Sequence, residues 1–130
     1  MKMENVFRKI VVITGILNFP IGLMMMLPAL MSPNPETLVT SVVVGAFLMF
    51  AGAALVWASK DIEHRASIIV WNGIVRLIGV TTVSYLGSMA TVPTEQIVIS
   101  AMDFALFFIY SIGCVKITGK SFVTLLLGKI

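Results

Sequence analysis

Hydrophobic residues dominate four runs of the sequence, at about residues 9–31, 38–59, 67–89 and 96–117. Each run is about 22 residues long, and a helix needs about 20 residues to cross a hydrocarbon core ~30 Å thick. None of the runs alternates polar and apolar positions with the period of two that a membrane β-barrel strand shows. Because backbone polar groups find no water in lipid, the pattern predicts four membrane-spanning helices.

The stretches between the runs are short, so each helix is expected to lie antiparallel to the next one. The expected fold is an all-α integral membrane four-helix bundle with up-down-up-down topology, in a single four-span domain over residues 1–130. Residues 119–130 follow the last run and are too few to cross a bilayer. Apolar side chains between Lys120 and Lys129 predict a short interfacial helix there, at the inner leaflet.

Small residues recur along one face of the second run, at Ser41, Gly45, Gly52 and Ser59. Small side chains let the backbones of two membrane helices approach closely, and lipid supplies no hydrophobic drive that would do this instead. The face is therefore expected to contact another helix. A neighbour in the same chain is favoured over a second subunit, and the sequence leaves both open.

The distribution of charge adds an orientation. The chain is 58% hydrophobic and only 12% charged, whereas a soluble domain has about 25% charged residues. Eight of the nine Lys and Arg residues flank the runs on one side: Lys2, Arg8, Lys9, Lys60, Arg65, Lys116, Lys120 and Lys129. This positive-inside bias predicts a cytoplasmic (inner) membrane protein with both termini in the cytoplasm. The net charge of +3 follows from this bias, and a nucleic-acid partner is not expected.

The ninth basic residue, Arg76, lies near the middle of the third run. A guanidinium at that depth costs about 2.5 kcal/mol on insertion scales, so it needs a partner inside the protein. Asp103 in the fourth run is the candidate anion. Both side chains lean toward the N-terminus of their own helix, which draws them apart. A direct contact is within reach, and a bridging water or Asn18 as intermediary are the alternatives.

Together these side chains predict a polar cluster of Arg76, Asp103, Asn18, Asn72 and Tyr110. Three interpretations stay open. The cluster is a structural clasp, or it binds a small or lipid-like ligand with an anionic head at Arg76, or Asp103 titrates in a small transporter or channel component. The expected partners are membrane lipids, a small amphipathic ligand, and a second copy or another membrane protein.

An enzyme is the third class of function considered. It is the least favoured one, because the sequence shows no nucleophile–base pair, metal cluster or phosphate-binding loop. Asp61, Glu63 and His64 lie close together, but their spacing fits no metal site, and residues 60–65 are expected to form a solvated loop of mixed charge. His64 is the one histidine, which weighs against an intramembrane haem. Cys114 is the one cysteine, so an intrachain disulfide is excluded. No cofactor and no metal are expected.

Short motifs along nearly the whole chain resemble small bacterial four-helix membrane proteins of the DoxX-like kind and their uncharacterised relatives. The motifs are Gly15–Gly22 with Pro28 after it, the span with Gly45 and Gly52, Trp71-Asn72-Gly73 leading to Arg76, and an acid in the fourth span. The resemblance implies the four-helix membrane fold. In some relatives, partnership with a redox or sulfur-handling protein is suggested. Separately from the resemblance, an accessory subunit is a further role expected for the bundle. The resemblance assigns no catalytic residue here.

Overall fold

The structure, a computed structural model, describes residues 2–129 of the chain. These residues form four long helices and a short one: α1 (Lys2–Met31), α2 (Leu38–Ser59), α3 (Ile62–Gly87), α4 (Thr94–Thr118) and α5 (Phe122–Leu126). No strand occurs among the described residues. Each of the four long helices is long and apolar enough to cross a membrane. The predicted fold class, an all-α four-helix membrane protein, is confirmed.

The helices divide into two compact units, the first ending at Lys60 and the second beginning at Asp61. The first unit is a hairpin of α1 and α2. The second unit consists of α3 and α4, with α5 packed against both of them. The single four-span domain over residues 1–130 stays a prediction, and its end residues, Met1 and Ile130, lie outside the described residues.

The connection between α2 and α3 is shorter than the sequence suggested. The prediction of a mixed-charge loop over residues 60–65 was wrong, because α3 begins at Ile62 and contains Glu63, His64 and Arg65. Glu63 lies in the first turn, where a carboxylate interacts favourably with the positive end of the helix dipole. Asp61 contacts His64 Nδ1 at 3.0 Å, and this hydrogen bond holds the pKa of Asp61 below its usual value. Local electrostatics therefore extends α3 beyond its apolar run.

The other helices follow the apolar runs closely. α2 has the predicted bounds, and α4 extends the predicted run by two residues at its start and one at its end. α1 starts at Lys2 instead of about residue 9. An ion pair between Arg8 and Glu4, 3.2 Å long and one helical turn apart, supports this additional N-terminal segment.

Glycines form the contact between α1 and α2. Gly15 lies against the backbone of Gly52, and Gly22 lies against that of Gly45. A Cβ atom on Gly22 would lie 2.5 Å from the carbonyl oxygen of Gly45, and one on Gly45 would lie 2.6 Å from that of Gly22. The pairing order shows that the two helices are antiparallel. The small-residue face of α2 thus meets a neighbour in the same chain, as the sequence favoured.

The short α5 folds back onto the start of α3. Gly119, with φ of 68°, ends α4 in the left-handed conformation that glycine adopts without strain. Ser67 Oγ then donates a hydrogen bond of 2.6 Å to the carbonyl of Leu125, and Trp71 Nε1 donates one of 2.8 Å to that of Leu126. Leu125 is fully buried. A helix in the segment 119–130 is therefore present, but it covers only five residues, and its interfacial position stays a prediction.

Candidate functional site

Arg76 lies near the middle of α3 with its side chain only 16% exposed. Its Nη1 atom donates a hydrogen bond of 2.6 Å to Asp103 Oδ1 on α4. Its Nε atom donates a second one, of 3.0 Å, to Asn72 Oδ1. The ring of Tyr110 lies beside the guanidinium, with its centroid 5.6 Å from Cζ. The structure thus brings four of the five predicted cluster residues together.

Helical spacing explains this grouping. Asn72 precedes Arg76 by four residues, so the two side chains share one face of α3. Asp103 and Tyr110 are seven residues apart and share one face of α4. Gly73 adds to the close approach of the two helices, because the backbone of Phe107 lies 3.6 Å from where its Cβ atom would be. The antiparallel packing of these faces positions both partners of Arg76 on α4.

Asn18, the fifth predicted residue, belongs to α1 in the first unit and is buried. Its Cβ atom lies 2.9 Å from where a Cβ atom on Gly52 would be, so Asn18 packs in the α1–α2 interface. Its membership of the cluster stays a prediction. A bridging water or an intermediary side chain is not required between Arg76 and Asp103, since these two are in direct contact.

The electrostatics of the site follow from this contact. A charge-assisted hydrogen bond is about twice as strong as a neutral one, and removing one partner of a buried ion pair leaves the other charge uncompensated. Asp103 supplies the negative charge that a deep guanidinium requires. Because Arg76 is already paired and hydrogen-bonded, the geometry favours the clasp interpretation over an anionic ligand at Arg76.

A second feature of this unit was not anticipated from the sequence. An apolar cleft of about 360 Å³ lies beside α4 and α5, and it is lined by Phe107, Phe108, Ser111, Ile112, Val115, Lys116 and Phe122. Ser111 Oγ is buried and has no hydrogen-bond partner among the described residues. A buried hydroxyl in that state costs about 1–3 kcal/mol. Phe107 and Ser111 are four residues apart and share one face of α4, but the sequence did not show that Phe122 folds back beside them.

The other side chains considered as metal ligands do not form a cluster among the described residues. No group of three His, Cys, Asp or Glu side chains that could hold a metal ion occurs in the part of the chain that the structure describes. Cys114 is fully buried, and its Sγ lies 3.8 Å from the carbonyl oxygen of Ala66 on α3. A small packing residue is the role that this environment fits.

Comparisons with protein-family models, with curated proteins and with solved structures find no match to this chain. The resemblance to the DoxX-like proteins therefore stays a prediction.

Proposed function

We propose that this chain is a non-catalytic protein of the cytoplasmic membrane that binds a lipid or another small amphipathic molecule. The cleft beside α4 and α5 is the observation that carries the proposal. Its volume of about 360 Å³ falls in the range of roughly 300–1,000 Å³ that is usual for ligand clefts. Its walls present only apolar surface, to which Lys116 contributes its aliphatic stem, as the apolar chain of a lipid requires.

In this proposal the Arg76–Asp103 pair is a clasp that holds α3 and α4 together, and the ligand binds in the cleft, whose lining does not include the pair. A binding protein of this kind is also compatible with service as an accessory subunit. The expected partners are then membrane lipids, together with a second copy of the chain or another membrane protein. No cofactor takes part.

Blocking the cleft tests the proposal. Ile112 lines the cleft and is 53% exposed, and Ile97, near the other end of the same helix, has the same exposed fraction. Ile112→Trp places an indole in the cleft, whereas Ile97→Trp makes the same exchange outside it. Native mass spectrometry of the purified protein should show amphipathic molecules retained by wild type and Ile97→Trp and lost from Ile112→Trp. Equal retention by all three proteins would refute binding in the cleft.

The proposed orientation has both termini in the cytoplasm, supported by the one-sided distribution of basic residues. Glu36, in the connection between α1 and α2, and His64, in the first turn of α3, are both exposed, and the proposed topology puts them on opposite sides of the membrane. In a Cys114→Ala background, Glu36→Cys should react with a membrane-impermeant maleimide in intact spheroplasts. His64→Cys should react only after permeabilisation. The reverse pattern of labelling would invert the proposed topology.

A further inference from the structure

We propose that the cleft binds an acyl chain of an anionic phospholipid and that Lys116 pairs with the phosphate of that lipid. This inference rests on the proposed function and adds the chemical class of the head group. It commits to a bilayer phospholipid because the cleft presents only apolar surface, while the exposed Lys116, whose stem lines the cleft, carries its ammonium group outside that lining.

The walls of the cleft suit an acyl chain. Phe107 and Phe122 meet edge to face with their ring centroids 6.4 Å apart, and Phe107 packs in the same way on Phe108 at 5.1 Å. Ile112 adds a branched aliphatic surface that is half exposed. These side chains offer an apolar chain a shaped surface in place of mobile lipid.

Depth along α4 matches the layout of a phospholipid. Lys116 lies in the last turn of the helix, and its long stem lets the ammonium reach the head-group level. Ser111 lies five residues earlier, which is about 7.5 Å deeper at a rise of 1.5 Å per residue. Ser111 and Ile112 therefore lie at acyl-chain depth below the phosphate, where the cleft presents only apolar surface and the Ser111 hydroxyl is covered by protein.

The position of Lys116 in the last turn of α4 also indicates the charge of the head group. In the proposed orientation Lys116 faces the cytoplasmic leaflet, which carries anionic lipids. A lysine near that surface contributes about 1 kcal/mol of attraction, which corresponds to about fivefold in affinity. A zwitterionic head group offers Lys116 a phosphate whose charge is offset by its own cation. Binding should therefore discriminate between the two head groups.

The test compares two lipids that differ only in the head group. The purified protein is titrated in detergent with equal amounts of dioleoylphosphatidylglycerol and dioleoylphosphatidylcholine, and bound lipid is counted by native mass spectrometry. We expect about fivefold preference for phosphatidylglycerol in wild type and in Lys116→Arg, and no preference in Lys116→Gln. Lys129→Gln, which removes a basic residue outside the cleft lining, should keep the preference.

The outcomes distinguish a failure of the head-group assignment from a failure of the proposed function. Equal binding of both lipids that Ile112→Trp abolishes would overturn the head-group assignment and leave the proposed function standing. Equal loss of preference in Lys116→Gln and Lys129→Gln would replace the Lys116 site by a diffuse basic surface. Retention of neither lipid, or retention that Ile112→Trp does not reduce, would overturn both. Lys116 is exposed, so its replacement should leave the fold intact.

Discussion

Arg76 owes its place in an apolar helix to three neighbours that use different parts of the guanidinium. Asp103 accepts from Nη1, Asn72 accepts from Nε, and the face of Tyr110 lies beside Cζ. Two nitrogens at the fixed spacing of the planar guanidinium donate to two separate oxygens, whereas an ammonium group has one nitrogen that would have to reach both. The identity of the cation is therefore part of the structure, beyond its charge.

Replacing Arg76 by lysine tests whether the guanidinium itself is required, beyond its positive charge. Arg76→Lys keeps the charge and loses at least one of the two hydrogen bonds, so we expect the free energy of unfolding to fall by about 1–3 kcal/mol. Arg8→Lys is the matched control, because Arg8 pairs with Glu4 while 42% exposed; its effect should stay within about 0.5 kcal/mol. Unfolding in mixed detergent and SDS micelles measures both. Equal losses in the two variants would contradict the role of the guanidinium.

The direct ion pair also bears on transport as the alternative function. A titrating Asp103 would have to exchange Arg76 for a proton or another cation, and each exchange would separate two charges that lie 2.6 Å apart. The cost of uncovering a partly buried guanidinium opposes that step. Transport stays an alternative prediction, and proteoliposome flux that responds to Asp103→Asn would support it.

At the level of helices, the two units use different means to bring their helices together. α1 and α2 meet through glycine backbones, at Gly15 with Gly52 and at Gly22 with Gly45. α3 and α4 are joined by side chains, above all the ion pair, and at Gly73 they approach less closely, since a Cβ atom there would lie 3.5 Å or more from Phe107. Close backbone packing relies on van der Waals contact and tolerates no added atom, whereas side-chain packing leaves some room.

This difference predicts unequal effects of a single methyl group. A Cβ atom on Gly52 would collide with the carbonyl oxygen of Gly15 and lie 2.9 Å from Asn18 Cβ, so Gly52→Ala should destabilise the protein by about 1–3 kcal/mol. Gly79→Ala places the methyl group where nothing lies within 4 Å, and its better helix propensity should stabilise by up to about 1 kcal/mol. Thermal unfolding in detergent compares them. A tolerated Gly52→Ala would contradict the close α1–α2 contact.

The helices themselves were largely predictable, and the exceptions have local causes. Hydropathy placed all four spans, since a run of apolar residues long enough to cross a bilayer has few other stable states. The early start of α3 was missed because Asp61, Glu63 and His64 are polar and give no hydropathy signal. Their helix-favouring contacts became apparent only with the distances between them.

At the scale of the whole molecule, a lipid environment explains why so many large apolar side chains are exposed. Large apolar side chains such as Phe47, Phe50 and Ile78 are 60% exposed or more. In water, apolar surface on this scale would lead to association, whereas acyl chains solvate it. The surface of the described helices therefore agrees with the membrane class that their length and composition indicate.

The candidate site was predictable to the extent that it depends on sequence alone. Arg76 and Asp103 were identified because each is a charge within an apolar run. Their direct contact depends on how α3 and α4 pack, which the opposing lean of the two side chains did not determine. The cleft was not predictable, because it requires the chain to turn at Gly119 and return Phe122 to the side of Phe107.

The most direct measurement is a double-mutant cycle on the Arg76–Asp103 pair, with Asp103→Asn, Arg76→Gln and their combination unfolded in detergent. The account predicts that Asp103→Asn alone costs roughly 3 kcal/mol, because it leaves a guanidinium uncompensated in the membrane. It predicts that the double variant is about 1–3 kcal/mol more stable than the sum of the single effects. If the two single effects sum to within about 0.5 kcal/mol of the effect of the double variant, the residues are not coupled and the clasp is contradicted.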